Sequence, residues 1–185
     1  MIVTLSGITG TGKSFFKDVI SEELNFKNLA IVTTREKRKN EVNGIDKEFV
    51  DDATFEQLKK EEKIVVDFEF LGAKYAYRKQ QLQSDDDYVT EVHYDTIYEF
   101  KKNAQKVFAV YMIPHNIERA KLELKRRGLP KESEEDRLRE IEEHIKEYST
   151  NIDLQKQFDY VFLNDYTEES KERLLQTIRK IKEKS

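Results

Sequence analysis

The densest chemistry in this sequence sits in eight consecutive residues, Gly7-Ile8-Thr9-Gly10-Thr11-Gly12-Lys13-Ser14. They spell G-x-x-x-x-G-K-S/T between an apolar run, Ile2–Leu5, and an amphipathic stretch, Lys13–Leu24. A glycine-rich turn between a strand and a helix points successive backbone N–H groups inward, forming an anion nest at the helix N-terminus. In such a loop Gly7, Thr9, Gly10, Thr11 and Gly12 cradle phosphates, Lys13 reaches the β- and γ-phosphates, and the Ser14 hydroxyl ligates Mg²⁺. The expected first ligand is therefore a nucleoside triphosphate, ATP with Mg²⁺. The loop does not say where the phosphate goes, since motors, GTPases, repair ATPases and small-molecule kinases share it. At 185 residues the chain is too short for most motor cores, and it has no Asn/Thr-Lys-x-Asp run for reading guanine in a GTPase. Size favours a small kinase.

A second anion site follows. Arg35 and Arg38, three apart in the extended segment Thr33–Val50, can converge on one phosphate, because planar guanidinium groups clamp oxygens bidentately. Other polar clusters read as structural. His93 lies near a strand end, His115 and His144 have no partner spacing for a metal, and Asp85-Asp86-Asp87 reads as a solvated loop before a strand.

The elements that must position these groups follow from hydrophobic periodicity. Ile2–Leu5, Leu29–Val32, Ile64–Phe70, Lys74–Tyr77, Tyr88–Val92, Val107–Ile113 and Tyr160–Leu163 read as strands. Lys13–Leu24, Phe55–Glu62, Asp95–Lys102, Asn116–Arg127, Glu132–Tyr148 and Glu168–Lys182 read as helices, with Asp52 or Thr54 capping the second. Strands alternating with helices imply an α/β fold with a mainly parallel central sheet flanked by helices. The extended stretch from Ile31 to Tyr77 reads as a small β-rich insertion. With 33 basic and 37 acidic residues the net charge is −4, which argues against a dedicated nucleic-acid binder. Zero cysteines exclude disulfides and a thiol nucleophile, and no run is apolar enough for a membrane helix. The expectation is one soluble, cytoplasmic domain with no membrane partner.

The segment Thr33-Thr34-Arg35-Glu36-Lys37-Arg38-Lys39-Asn40-Glu41-Val42-Asn43-Gly44-Ile45-Asp46-Lys47-Glu48-Phe49-Val50 resembles the T-T-R-x-P-R-x-G-E-x-x-G-x-D-Y-x-F-V segment of the guanylate kinase family. Gly72-Ala73-Lys74-Tyr75 resembles that family's G-N-x-Y turn, and Arg126-Arg127-Gly128 with Glu132–Leu138 its arginine-bearing lid. Phe158–Asp165 resembles its F-D-Y-V-I-V-N-D strand, and the match is collinear over essentially the whole chain. The resemblance implies one domain over 1–185, with a core of 1–32, 78–126 and 138–185, an acceptor-binding insertion at 33–77 and a helical lid at 127–137. It implies ATP-dependent phosphorylation of a nucleoside monophosphate, GMP first. The alternatives are another phosphorylated acceptor, or a non-catalytic nucleotide- or partner-binding module. Carried over by position, Arg35, Arg38, Lys47 and Tyr75 hold the acceptor phosphate, and Arg127 and Arg137 cover the transferring group. Asn164 lies near adenine, and Glu91 holds Mg²⁺ through water.

Departures from the family cluster at the acceptor base. Ile31 stands for a serine, Lys47 for a tyrosine, Lys37 for a proline and His93 for an acidic residue. Val66 falls on the guanine-reading glutamate, and Ala76-Tyr77 on a Gly-Ser/Thr pair. An apolar side chain cannot accept from guanine, so the base-binding set is expected at Val66, Asp67, Glu69 and Tyr77. Here Asp67 takes over through a strand bulge, or Glu69 from the same face. Lys13→Ala is expected to lower turnover by roughly 10³–10⁵, the effect of a positioned cation in phosphoryl transfer. Circular dichroism checks that the fold survives, and wild-type turnover by a folded variant refutes the role of Lys13.

Overall fold

In this computed structural model the apolar run opening the chain becomes β1 (Ile2–Gly7), a strand buried on both faces. Residues 1–37, 41–44, 47–70, 72–126 and 131–184 are described, without the side chains of 131–134, 137 and 140. The chain continues through α1 (Lys13–Leu24), β2 (Lys27–Asn28), β3 (Ile31–Thr33), β4 (Glu48–Phe49), α2 (Asp52–Lys60), β5 (Ile64–Phe70) and β6 (Ala73–Arg78). Next come α3 (Lys79–Leu82), β7 (Tyr88–Glu91), a 3-10 turn (Tyr94–Thr96), α4 (Ile97–Asn103), β8 (Val107–Pro114) and α5 (Ile117–Lys125). The last elements are α6 (Lys131–Thr150), α7 (Ile152–Gln155), β9 (Tyr160–Asn164) and α8 (Glu168–Glu183).

Five strands form a parallel sheet in the order β2-β7-β1-β8-β9, and four form a second sheet in the order β4-β3-β6-β5. In the second sheet β6 runs antiparallel to both neighbours, while β3 and β4 are parallel. Because alternate residues of a strand face opposite ways, β1 serves two cores. Val3 and Leu5 pack with Phe16 and Ile20 of α1 and Leu174 and Ile178 of α8. Ile2 packs on the other face with Tyr77, Tyr88, Ile97 and Phe100, joining the two sheets. Ile8 meets Leu124 and Ile141, so α5 and α6 lie against the loop that follows β1. Among the described residues no helix is long and apolar enough to cross a membrane.

Three local expectations are corrected. The strand expected over Leu29–Val32 is divided: Lys27 and Asn28 pair with β7, whereas Ile31–Thr33 pair with β6. Leu29 still donates to the Val89 carbonyl at 3.0 Å, and the chain then leaves one sheet for the other, a crossing that an apolar run does not announce. Helix α2 starts earlier than expected, because the cap is Asp51, whose carboxylate accepts from the Thr54 N–H at 2.7 Å. The acidic run is tied down as well as solvated: Asp86 pairs with Lys27 at 2.8 Å, and Asp87 with Lys182 at 2.6 Å and the N-terminal amine at 3.0 Å.

At the end of β1 stands the most closely packed of the described glycines. Gly7 has φ +123°, and a Cβ there would sit 2.2 Å from the Met112 carbonyl oxygen of β8. Gly72, with φ +73°, has nothing within 4 Å of the same position. Gly7→Ala is therefore expected to cost roughly 2–5 kcal/mol by urea denaturation, and Gly72→Ala only about 1–2 kcal/mol for its left-handed backbone. Equal losses at the two positions count against the close approach at Gly7.

Candidate active site

In the loop between β1 and α1 the carbonyl oxygens of Gly7, Ile8, Gly10, Thr11 and Gly12 accept from the protein. Lys13 Nζ donates to the Gly7 and Ile8 carbonyls at 2.9 Å each, and the buried Thr11 hydroxyl donates to Ile8 at 2.7 Å. Tyr166 Oη donates to the Gly10 carbonyl at 3.1 Å, Asn164 Nδ2 to Thr11 at 2.9 Å, and the Phe16 N–H to Gly12 at 2.9 Å. Helix α1 has no side-chain cap and no acidic residue in its first turn. Carbonyls that already accept from the protein and a helix N-terminus with no side-chain cap leave backbone N–H groups for an anion. Burial, reinforced by Glu123, pushes the Tyr166 phenol up to about 12, so it stays a donor.

One cleft of about 430 Å³ joins this loop to the second sheet. Gly7, Thr9, Gly10, Gly12, Lys13 and Ser14 line one end; Arg35, Glu41, Lys47, Tyr75 and Glu91 line it further along. The clamp is placed by pairing: Tyr75 of β6 lies opposite Thr33 of β3, and the Arg35 N–H donates to Thr33 Oγ1 at 3.1 Å. Arg35 Nη2 donates to both carboxylate oxygens of Glu41, at 2.6 and 2.9 Å, Nη1 donates to the Glu36 carbonyl at 2.7 Å, and the guanidinium lies over Phe49. Burial, followed by nearby Arg35, lowers Lys47 below the ordinary lysine value, against the opposing pull of Glu91 and Glu41. A phosphate between Arg35 and Lys47 relieves that repulsion. Glu91, at the end of β7 beside β1, faces the same cleft as Ser14. Arg38 and Arg127 lie outside the described residues, as does the side chain of Arg137.

The expected base-binding set is not brought together. A bulge does interrupt β5: Val65 pairs with Tyr77 and Phe68 with Tyr75, so three steps on β5 match two on β6. Val66 absorbs it at φ +57°, a strained value for a β-branched residue. The extra residue shifts the parity of the strand, so that Phe68, not Asp67, shares the face of Tyr75 and stacks on it at 5.3 Å. Asp67 points to the other side and pairs with Lys59 of α2. Glu69 is exposed beside it, in a separate depression lined by Phe55, Lys59 and Lys74. Val66 and Tyr77 are buried in the core between the sheets, where Tyr77 donates to the Glu91 carbonyl at 3.2 Å. The cleft wall is instead formed by Phe68, Phe70, His93, Tyr94 and His144. Reading β5 as an unbroken alternation hides Phe68 and Phe70, and no spacing relates His93 to His144.

A second depression of about 480 Å³ opens on the other side of the phosphate loop. It shares Gly10, Gly12 and Ser14 with the first and adds Phe15, Arg126, Tyr166 and Lys171. Asn164 lines it but is 3% exposed, and its amide is spent inside the protein. Besides donating to Thr11, it accepts from the Tyr166 N–H at 2.9 Å and from Ser170 Oγ at 3.0 Å. Its evident work is to hold the loop.

Comparison with known proteins matches residues 1–181 to the guanylate kinase family model. The chain is 29% identical over 188 residues to the guanylate kinase of Rickettsia prowazekii (strain Madrid E), covering 99% of this chain and 89% of that protein. It is 29% identical over 174 residues to the guanylate kinase of Bacillus subtilis (strain 168), covering 91% of this chain and 82% of the relative. Its fold is similar to the crystal structure of guanylate kinase from Anaplasma phagocytophilum, with a TM-score of 0.70 at 22% identity over 97% of this chain and 84% of that one.

The geometry separates a cleft-facing residue from a back-face one. Arg35→Ala is expected to raise the KM of a monophosphate acceptor by roughly 10–100-fold, the loss of a charge-assisted bidentate contact, with the KM of ATP unchanged. Asp67→Asn is expected to leave both KM values within about twofold, since it removes one exposed ion pair. Steady-state kinetics on the two variants decide; a large acceptor effect of Asp67→Asn contradicts the placement of β5.

Proposed function

The chain belongs to the guanylate kinase family, and on that premise we propose that it transfers the γ-phosphoryl group of ATP to GMP, giving ADP and GDP. The observation that carries this reading is the single cleft with the phosphate loop at one end and Arg35, Lys47 and Tyr75 at the other. Donor and acceptor phosphates can meet there, while the depression on the far side of the loop suits the donor nucleoside.

The reaction forms a bond between an acceptor phosphate oxygen and Pγ and breaks the bond from Pγ to the β–γ bridging oxygen, so ADP leaves. Proteins assist this step mainly by positioning and charge neutralisation. Lys13 exchanges the Gly7 and Ile8 carbonyls for β- and γ-phosphate oxygens. Arg35 exchanges Glu41 for the acceptor phosphate, trading one charged contact for another at little net cost. Lys47 supplies a second cation from a half-buried position, and the Tyr75 hydroxyl donates to the same phosphate. Arg38 completes the clamp, and Arg127 with Arg137 covers the transferring group and excludes water. Asn164 keeps the loop in shape beside the donor nucleoside. The Ser14 hydroxyl and the Glu91 carboxylate are oxygen donors lining one cleft, which suits a hard cation. Ser14 and Glu91 would hold Mg²⁺ there, which when bound supplies positive charge against the phosphates.

A coupled assay for ADP release across GMP, dGMP, IMP, AMP and UMP tests the reading. Turnover is expected with GMP, to depend on ATP, and to be abolished by EDTA and restored by excess Mg²⁺. ADP release at the same rate with and without any monophosphate rejects the two-substrate reading.

A further inference from the structure

We propose that Tyr77 is a positioning residue for the reaction, its hydroxyl fixing the backbone at Glu91 where the two sheets meet. This inference rests on the GMP reading above and adds a group that does not touch substrate. The need for such a group arises where β2 ends. Along β7, the Asp87 and Val89 carbonyls accept from the Lys27 and Leu29 N–H groups, at 2.9 and 3.0 Å. Bonds between parallel strands are evenly spaced, so the next donor in that series is the Ile31 N–H and the next acceptor the Glu91 carbonyl. Ile31 has left for the second sheet, where it pairs with Tyr77 of β6. The Glu91 carbonyl thereby loses its ladder partner at the point where Glu91 lines the cleft.

The new partner of Ile31 makes good that loss. Tyr77 Oη donates to the Glu91 carbonyl at 3.2 Å, and Thr90 Oγ1 of β7 lies 3.4 Å from the same oxygen. The Tyr77 ring is fully buried and packs edge-on against Phe100 of α4 at 4.9 Å, which fixes the direction of its hydroxyl. Burial holds the phenol well above the usual tyrosine value, so it stays a donor. On the β1 side, the Val92 N–H donates to the Leu5 carbonyl at 3.1 Å, and the Ser6 hydroxyl donates to the Val92 carbonyl at 2.7 Å. Strand β1 thus holds the end of β7 at Val92, and Tyr77 holds it from the acceptor sheet at Glu91. A residue that aligns two substrates without contacting either acts on turnover and not on affinity.

The test is steady-state kinetics with ATP and GMP on wild type, Tyr77→Phe, Glu91→Gln and the double variant, with amide hydrogen exchange on the free proteins. Tyr77→Phe keeps the ring that packs on Phe100, so it is expected to fold. Tyr88→Phe is the control, since the Tyr88 hydroxyl donates to Asp86 at the opposite end of β7, and it is expected to keep the wild-type kcat. Expected for Tyr77→Phe is a loss of roughly 10-fold in kcat, within the ~10² that a misplacement of about 1 Å can cost, with both KM values within about twofold. Added to Glu91→Gln, it is expected to lower kcat by no more than about a further twofold, because the group it positions is already gone. Exchange is expected to quicken around residues 90–94 and to keep its wild-type rate in β8. A folded Tyr77→Phe with wild-type kcat, an equal loss in Tyr88→Phe, or the same loss in the Glu91→Gln background overturns the assignment. Exchange that quickens equally throughout overturns it too, since that marks a structural role. Wild-type protein that turns over no monophosphate overturns the GMP reading, and the exchange pattern then decides whether Tyr77 holds Glu91.

Discussion

Everything in the active cleft depends on the backbone oxygens of the phosphate loop being held by the protein. Four carbonyls, those of Ile8, Gly10, Thr11 and Gly12, accept from Thr11, Tyr166, Asn164 and Phe16, donors that stay in place when Lys13 leaves Gly7 and Ile8. A loop whose oxygens were left open to the cleft would repel a triphosphate; one whose oxygens already accept from the protein offers N–H groups instead. Two of the tethers, Asn164 and Tyr166, come from the far edge of the parallel sheet, at and just beyond the end of β9. The parallel order matters for this reason, since β1, β8 and β9 all end on the same side of the sheet. Gly7 fits there because no side chain stands between it and Met112.

The second constraint is one residue wide. At Val66 the backbone of β5 enters the left-handed region, and the register against β6 shifts between Val65 and Phe68. Strained backbone of this kind costs about 1–3 kcal/mol and persists where its surroundings over-determine it. Here the Val66 side chain is buried between the sheets, which holds the bulge in place. From the bulge onward the parity of the strand is reversed. Phe68 and Phe70 line the cleft, while Asp67 and Glu69 face α2 and solvent.

Charge is handled by internal pairing, which suits a protein of net charge −4 whose ligands are polyanions. Lys13 rests on carbonyls, and Arg35 on Glu41. Lys47, drawn into the cleft beside Arg35, has its ammonium destabilised by burial. On the proposed reading a phosphate would substitute for the first two sets of partners and relieve the third, so that binding exchanges charged contacts rather than creating them.

The sequence by itself determined the features written in consecutive residues. Gly7–Ser14 between an apolar strand and an amphipathic helix has one physical reading, and α1 and β5 begin and end where periodicity puts them. The alternation of strands and helices was enough to imply the parallel sheet. Tertiary structure decided which groups meet. Leu29–Val32 is divided between two sheets because the second sheet captures Ile31, and nothing in the run itself marks the break. The aromatic wall of the cleft depends on the backbone angle at Val66 and on α6 carrying His144 to Tyr94 and His93. Hydrophobic pattern is a local property and survives in the chain; the face of a strand beyond a bulge, and the contact of two distant rings, exist only once packing has fixed them.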